Sequence, residues 1–224
     1  MSHGKQFTLY TQLTGPNGWK VVVVLEELGL TYEPIYLDFA QDEQKGPEYT
    51  KYNPNGRIPT LIDHNNGDFT IWESDAILLY LTDKYDKEKK LTVTGDKEKY
   101  TLIQWLFFQS SGQGPYFGQA FWFIRYQPER VPSAIERYQK ETIRVFSVLD
   151  SVLSKPENGG WLVGGKPTIA DLSFINWNDA AINIAIKDYA DVEKAYPAFY
   201  AWHQKLIARD AVQKAFAIQA SLQK

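Results

Sequence analysis

Apolar and polar residues alternate from Phe7 to Thr11, the period-two pattern of a short strand. A turn at Thr14-Gly15-Pro16-Asn17-Gly18 follows, and then an apolar run from Trp19 to Leu28. Val21 to Val24 individually favour a strand, but Leu25-Glu26-Glu27-Leu28 and Gly29 behind it predict a helix with a glycine stop. Glu33 to Leu37 predicts a second strand, and Asp38 to Tyr52 a polar, irregular stretch with one helical turn. Thr60 to Asp63 and Phe69 to Trp72 flank Asn66-Gly67, a strong hairpin signal. Ser74 predicts a helix N-cap with Asp75 in the first turn, and Ile77, Leu78, Leu81 and Tyr85 trace one apolar face behind it.

From Asp96 onward the pattern is helical. One helix is predicted over Tyr100 to Ser110, then a break at Gly112-Gln113-Gly114-Pro115, then a helix over Ser133 to Leu153. Thr168-Ile169-Ala170-Asp171 matches a capping box. Two further helices, broken by Pro197 and Asp210, complete the chain. The order β-α-β then β-β-α is that of a thioredoxin-like α/β domain, and an all-α domain follows it. The predicted boundaries are 1–86, a linker at 87–95, and 96–224.

Chemistry concentrates in the first part. Asn53-Pro54-Asn55-Gly56-Arg57 reads as a loop, and Ile58-Pro59 opens the third strand, where a proline is tolerated because no ladder bond is donated. A cis bond at that proline leaves the N–H and C=O of Ile58 facing outward, able to pair with an extended peptide. Glu73-Ser74 marks a helix start, where N–H groups lack partners and attract a carboxylate. Together the two pieces describe a cradle for a small acidic peptide, whereas Glu73-Ser74 alone reads only as a helix start.

Composition narrows the field. The chain has 224 residues, 44% of them apolar and 15% aromatic, with a formal net charge of −3. That charge balance argues against nucleic-acid binding. The longest apolar run, Val21 to Leu25, is too short for a bilayer, and Met1 to Gln6 lacks the apolar core of a signal peptide, so a cytoplasmic protein is expected. There is no cysteine, so any thiol nucleophile must arrive with a ligand. His3, His64 and His203 sit far apart in the sequence, and no metal site is expected.

The thioredoxin-like half with Ile58-Pro59 and Glu73-Ser74, joined to a helical half with Thr168-x-x-Asp171, resembles the cytosolic glutathione transferases. The resemblance runs from Phe7 to Ala217. Gly15-Pro16-Asn17-Gly18, Asn53 to Pro59, Trp72-Glu73-Ser74, Gly118-Gln119, Ile135-Glu136-Arg137-Tyr138 and Trp161-Leu162-Val163-Gly164 are similar to one branch in particular. It contains the yeast nitrogen-regulator prion protein, its enzymatic relatives in filamentous fungi, and related bacterial transferases. The Asn/Gln-rich N-terminal extension of the yeast regulator has no counterpart before Phe7, so prion-like behaviour is not expected.

The resemblance implies an enzyme that binds glutathione, stabilises its thiolate and conjugates it to small electrophiles, with glutathione-dependent peroxidase or disulfide reductase activity as variants. A non-catalytic regulator or ligand-binding protein of the same fold is the alternative. It implies that Ser74 binds the γ-glutamyl carboxylate, Glu73 the α-amino group, and the Ile58 backbone the cysteinyl unit. Gln44 would contact the glycyl end, its plain reading being an exposed loop glutamine. Arg137 would reach glutathione across a homodimer, its plain reading being a surface ion pair with a neighbouring carboxylate. Asn17 would stabilise the thiolate with Thr14 as a secondary donor, while Asn17 otherwise reads as a turn former and N-cap. Tyr10 is the competing donor. Tyr116, Phe117, Phe121 and Trp122 are candidates for an apolar electrophile pocket, and Trp161 and Trp177 for the core.

Overall fold

A computed structural model of the chain describes residues 4–222. In chain order the first elements are β1 (Phe7–Thr11), α1 (Pro16–Glu27), β2 (Tyr32–Tyr36), α2 (Pro47–Thr50), β3 (Thr60–Asp63), β4 (Phe69–Trp72) and α3 (Ser74–Tyr85). There follow α4 (Asp96–Phe108), α5 (Gly114–Phe121), α6 (Pro132–Leu153), α7 (Ile169–Leu172), α8 (Ile175–Ala180), α9 (Val192–Ala195), α10 (Pro197–Ile207) and α11 (Asp210–Leu222). They group into two compact units, residues up to Glu88 with those from Arg209 on, and Lys89–Ala208. His3 lies outside the described residues.

In the first unit the sheet order is β2-β1-β3-β4, with β1 and β2 parallel and the other pairs antiparallel. Three of the four strands fall where the sequence predicts them, and β2 begins one residue early, at Tyr32. The valine run is helical because α1 is covered on more than one side. Trp19 to Leu25 are all buried, and α1 packs against α3 and α11. A helix enclosed in this way carries no polar stripe, so periodicity could not distinguish it from a strand. Burial of such a face, not helix propensity, is what holds a valine-rich helix together.

The sequence boundaries assign α11 to the helical part, but its contacts group it with the sheet. Arg209 forks onto Glu27 at 2.5 and 2.8 Å, Lys214 pairs with Glu26 at 2.6 Å, and Gln219 donates to the Leu13 carbonyl at 3.0 Å.

In the second unit the predicted glycine break is absent. α4 continues through a wide π-turn at 109–113 into α5, and a second π-turn at 122–126 ends it. The two glutamines of this turn point inward. Gln109 donates to Gln113 at 2.9 Å, and Gln113 donates to Asn178 of α8 at 2.6 Å, all three buried. An inserted residue widens a helix without ending it, so glycines here mark a bulge. The capping box at Thr168 forms as predicted, and buried Asp171 also accepts from the Leu162 amide and the Trp202 indole, each at 3.0 Å. Phe146 stacks on Phe199 at 4.2 Å in the core of this unit.

Candidate functional site

Strand register gathers the predicted site residues of the first unit at one end of the sheet. Thr60 pairs with Trp72 and with Tyr10. The chain just before β3, just after β4 and just after β1 therefore shares that end. Those segments are Ile58-Pro59, Glu73-Ser74, and the loop into α1. A Cβ built on Gly15 would lie 3.0 Å from the Ile58 side chain, so the glycine lets β3's entrance rest against the start of α1. Closer still, a Cβ on Gly18 would lie 1.9 Å from the Thr11 hydroxyl, which fixes α1 tightly on β1.

The Ile58–Pro59 bond is cis. No hydrogen bond to the backbone of Ile58 is found among the described residues. The loop presenting it is rigidified by buried Asn53, whose amide donates to the Arg57 carbonyl at 2.7 Å and the Thr60 hydroxyl at 3.1 Å. The Asn53 side-chain oxygen accepts from the Asn55 amide at 3.0 Å, and the Tyr49 hydroxyl donates to the Arg57 carbonyl at 2.5 Å. Arg57 and Thr60 on either side are thus tied down, while no hydrogen bond to the Ile58 backbone is found among the described residues.

At the start of α3 the serine is not the cap. The N-cap is Glu73, at φ 70°, and Ser74 is already the first helical residue. A glutamate at positive φ costs about 1–2 kcal/mol relative to ordinary backbone. Its carboxylate is exposed and forms no hydrogen bond or ion pair among the described residues. Ser74 does not cap because its hydroxyl is engaged elsewhere: Lys20 of α1, 1% exposed, donates to Ser74 Oγ at 2.9 Å and to Asp75 Oδ1 at 2.8 Å. Burial pushes Lys20 down and Asp75 up, each against the pull of the other. Lys20 went unnoticed in the sequence because a single lysine inside an apolar run carries no periodic signal.

Asn17 and Thr14 sit at the start of α1. The N-cap there is Gly15, so Asn17 is the second residue of the first turn and not a cap. Thr14 donates its amide and its hydroxyl to Gln12 Oε1 at 2.7 and 3.0 Å. Its hydroxyl proton is therefore in use within the loop. Tyr10 packs against Tyr49 and Tyr52, each ring 5.4 Å away, and burial among them pushes it up to about 12. Gln44 is buried, contrary to the exposed-loop reading. It donates to Asp42 at 3.3 Å, and its Oε1 is a buried acceptor without a partner. Gly56, at φ 61°, brings the 53–60 loop to within 2.9 Å of the Gln44 carbonyl, measured from a Cβ placed there.

The remaining candidates lie in the second unit. Arg137 is exposed and, against the ion-pair reading, unpaired among the described residues, because Glu136 is taken by Lys140 at 2.6 Å and Glu141 by Arg144 at 2.7 Å. It lines a cavity of about 490 Å³ with Tyr116, Ser133 and those four residues. Phe117 is fully buried edge-on to Phe146 and belongs to the core. Tyr116 and Phe121 are half-buried, and Trp122 is exposed with its indole donating to Gln127 at 2.9 Å. Trp161 and Trp177 are half-buried and not core. Trp177 lies over Gly114 and Gly118 of α5 and meets Phe121 at 6.2 Å, so the two glycines make room for its indole.

Among the described residues no group of three His, Cys, Asp or Glu is arranged to hold a metal, and no helix is long and apolar enough to cross a membrane. What the first unit offers is an unpaired backbone segment, a free carboxylate and a helix start carrying a serine, all at one sheet end. That set suits a short zwitterionic peptide. Two family models match the chain, the glutathione S-transferase N-terminal domain over residues 5–83 and the C-terminal domain over 114–210. Glutathione S-transferase 1 of Schizosaccharomyces pombe is 52% identical over 94% of this chain and 95% of its own length. The crystal structure of glutathione transferase URE2P6 from Phanerochaete chrysosporium in complex with oxidized glutathione matches with a TM-score of 0.94 at 59% identity, covering 99% of each chain. Ure2p5 from the same fungus, cocrystallized with 1-(S-glutathionyl)-2,4-dinitrobenzene, matches at 0.90 and 52% identity, covering 99% of this chain and 97% of that one. The chain belongs to the glutathione S-transferase family, among relatives that include the fungal transferases and the Ure2 proteins.

Proposed function

We propose that this enzyme binds glutathione in the cradle of its first unit, holds the cysteinyl sulfur as thiolate and transfers it to small electrophiles. The observation that carries the reading is the meeting, at the sheet end fixed by the Thr60–Trp72 pairing, of the unpaired Ile58 backbone with Glu73-Ser74. Ile58 adds the cysteinyl unit as an extra strand, Ser74 and the first-turn amides of α3 receive the γ-glutamyl carboxylate, and Glu73 receives the α-amino group. Gln44 contacts the glycyl end, and its orphan Oε1 suits the N–H of the last peptide bond. Asn17 donates to the thiolate from the first turn of α1, with Thr14 as an auxiliary donor. In the second unit Tyr116, Phe121 and Trp122 supply apolar surface for the electrophile. Arg137, unpaired on α6, acts on glutathione in the other subunit of a homodimer. We place the enzyme in the cytoplasm, as a detoxifying transferase, with hydroperoxide or disulfide reduction as a variant of the same thiolate chemistry.

The test is retention on immobilised glutathione together with a pH–rate profile for conjugation of 1-chloro-2,4-dinitrobenzene. Asn17→Ala should lower the conjugation rate about ten- to a thousand-fold, as loss of a positioned anion donor does, and raise the apparent pKa of bound glutathione. Retention without turnover in the unmodified protein would leave a binding protein in place of an enzyme. Loss of rate in Tyr10→Phe but not in Asn17→Ala would overturn the assignment of the donor.

A further inference from the structure

Lys20 is a cation with 1% of its surface exposed, and it spends two of its protons on Ser74 Oγ and Asp75 Oδ1, at 2.9 and 2.8 Å. The other Asp75 oxygen is buried without a partner. A buried ion pair is weak support for stability, since desolvation costs about as much as the attraction returns. Well-packed apolar residues would hold α1 to α3 at least as well. The chemistry of the contact suggests a different use.

A serine hydroxyl has one proton and two lone pairs. An ammonium can only donate, so Lys20 occupies Ser74 Oγ as an acceptor and turns its proton away. No acceptor for that proton is found among the described residues. Resting on the reading of this cradle as a glutathione site, we propose that Lys20, held by Asp75, is a positioning residue that locks Ser74 as a donor. The lock makes the position selective for the γ-glutamyl α-carboxylate. Without it the hydroxyl can rotate and accept, and the position loses its preference for an anion. Asp75 has a second part, balancing the charge so that Lys20 itself does not draw anions into the core.

The experiment compares glutathione with 4-aminobutanoyl-cysteinylglycine, which keeps the amine and lacks only that carboxylate, by calorimetry. Two double variants remove the buried charges: Lys20→Met/Asp75→Leu, with no donor for Ser74, and Lys20→Gln/Asp75→Asn, which keeps an N–H in reach. The unmodified protein should prefer glutathione by at least about ten-fold, the worth of one hydrogen bond to a charged group. The apolar pair should bring that preference to within about three-fold, and the amide pair should keep most of it. A purely structural role predicts instead that both ligands weaken alike, and that result, or an undiminished preference in the apolar pair, overturns the proposal. Should the apolar pair not fold, Ser74→Ala in the amide-pair background must match the preference of Ser74→Ala alone, and a further loss refutes the coupling. Failure of the unmodified protein to bind either peptide is a separate outcome that refutes the glutathione reading itself.

Discussion

Gly18 is where the packing of the first unit is tightest, and replacing it tests how the site is held. Gly18 lies in the first turn of α1, where Gly→Ala ordinarily stabilises by no more than the ~1 kcal/mol of a helix interior. Here the added methyl would lie 1.9 Å from Thr11 Oγ1 and 3.0 Å from Thr11 Cβ, with the β1 backbone at 3.6 Å. Thr11 is fully buried and β-branched, so it cannot swing away. Overpacking of this kind costs about 1–3 kcal/mol, at the upper end when a strand side chain must move. Gly18→Ala should therefore lose about 2 kcal/mol net by urea denaturation. Glutathione affinity should fall with it, because α1 also carries Asn17 and Lys20. The clash predicts its own remedy. Thr11 Oγ1 has no hydrogen-bond partner, so Thr11→Ala alone should be nearly neutral, and in combination it should return at least half of the loss. A stabilised Gly18→Ala, or a double variant no better than the single, would refute the close approach of α1 to β1.

Two further outcomes follow from single residues. Glu73 holds φ 70°, so Glu73→Gly should raise stability by about 1 kcal/mol in thermal melts, while glutathione affinity drops at least about ten-fold with loss of the carboxylate. Burial pushes His203 down to about 4, so the imidazole is neutral in the folded chain. Its folded value lies below its unfolded value of about 6.5, so its contribution is complete above pH ~6.5 and is lost as pH falls towards 4. That amounts to about 3 kcal/mol. Urea titrations across that range should be steeper in pH for the unmodified protein than for His203→Gln, and parallel curves would remove the imidazole from acid unfolding.

Strands were legible from local signals: the alternation of Phe7 to Thr11, although β1 is buried almost throughout, and the turn chemistry of Asn66-Gly67 between β3 and β4. Helix ends were less so. Ser74 looked like a cap because serine usually is one, but a lysine 54 residues earlier in the chain holds its hydroxyl, and no local pattern contains that contact. The break expected at Gly112-Gln113-Gly114-Pro115 is a wide turn instead for a similar reason, since Gln109 bonds to Gln113 and Gln113 to Asn178, far along the chain. The plain reading of Gln44 as an exposed loop glutamine fails because Gly56 folds the neighbouring loop onto its backbone. For Ser74 and for Gln113 the deciding partner lies 54 and 65 residues away in the chain.

In the site proposed for glutathione, the choice of thiolate donor turns on α1. Tyr10, the obvious alternative, stands in a cluster with Tyr49 and Tyr52 and is pushed up to about 12 by burial and by those neighbours. A phenol so placed keeps its proton. Thr14 gives its hydroxyl to Gln12. Asn17 differs from both in belonging to the first turn of a helix whose amides favour negative charge. It is three residues before Lys20, so the two lie on one face of α1. Gly15 brings Ile58 to the start of that helix, Gly18 brings the helix onto β1, and Lys20 fastens it to Ser74. On the proposed reading, one rigid element then carries both the donor for the sulfur and the lysine that orients the serine for the carboxylate, so a shift of α1 should disturb both ends of the peptide at once.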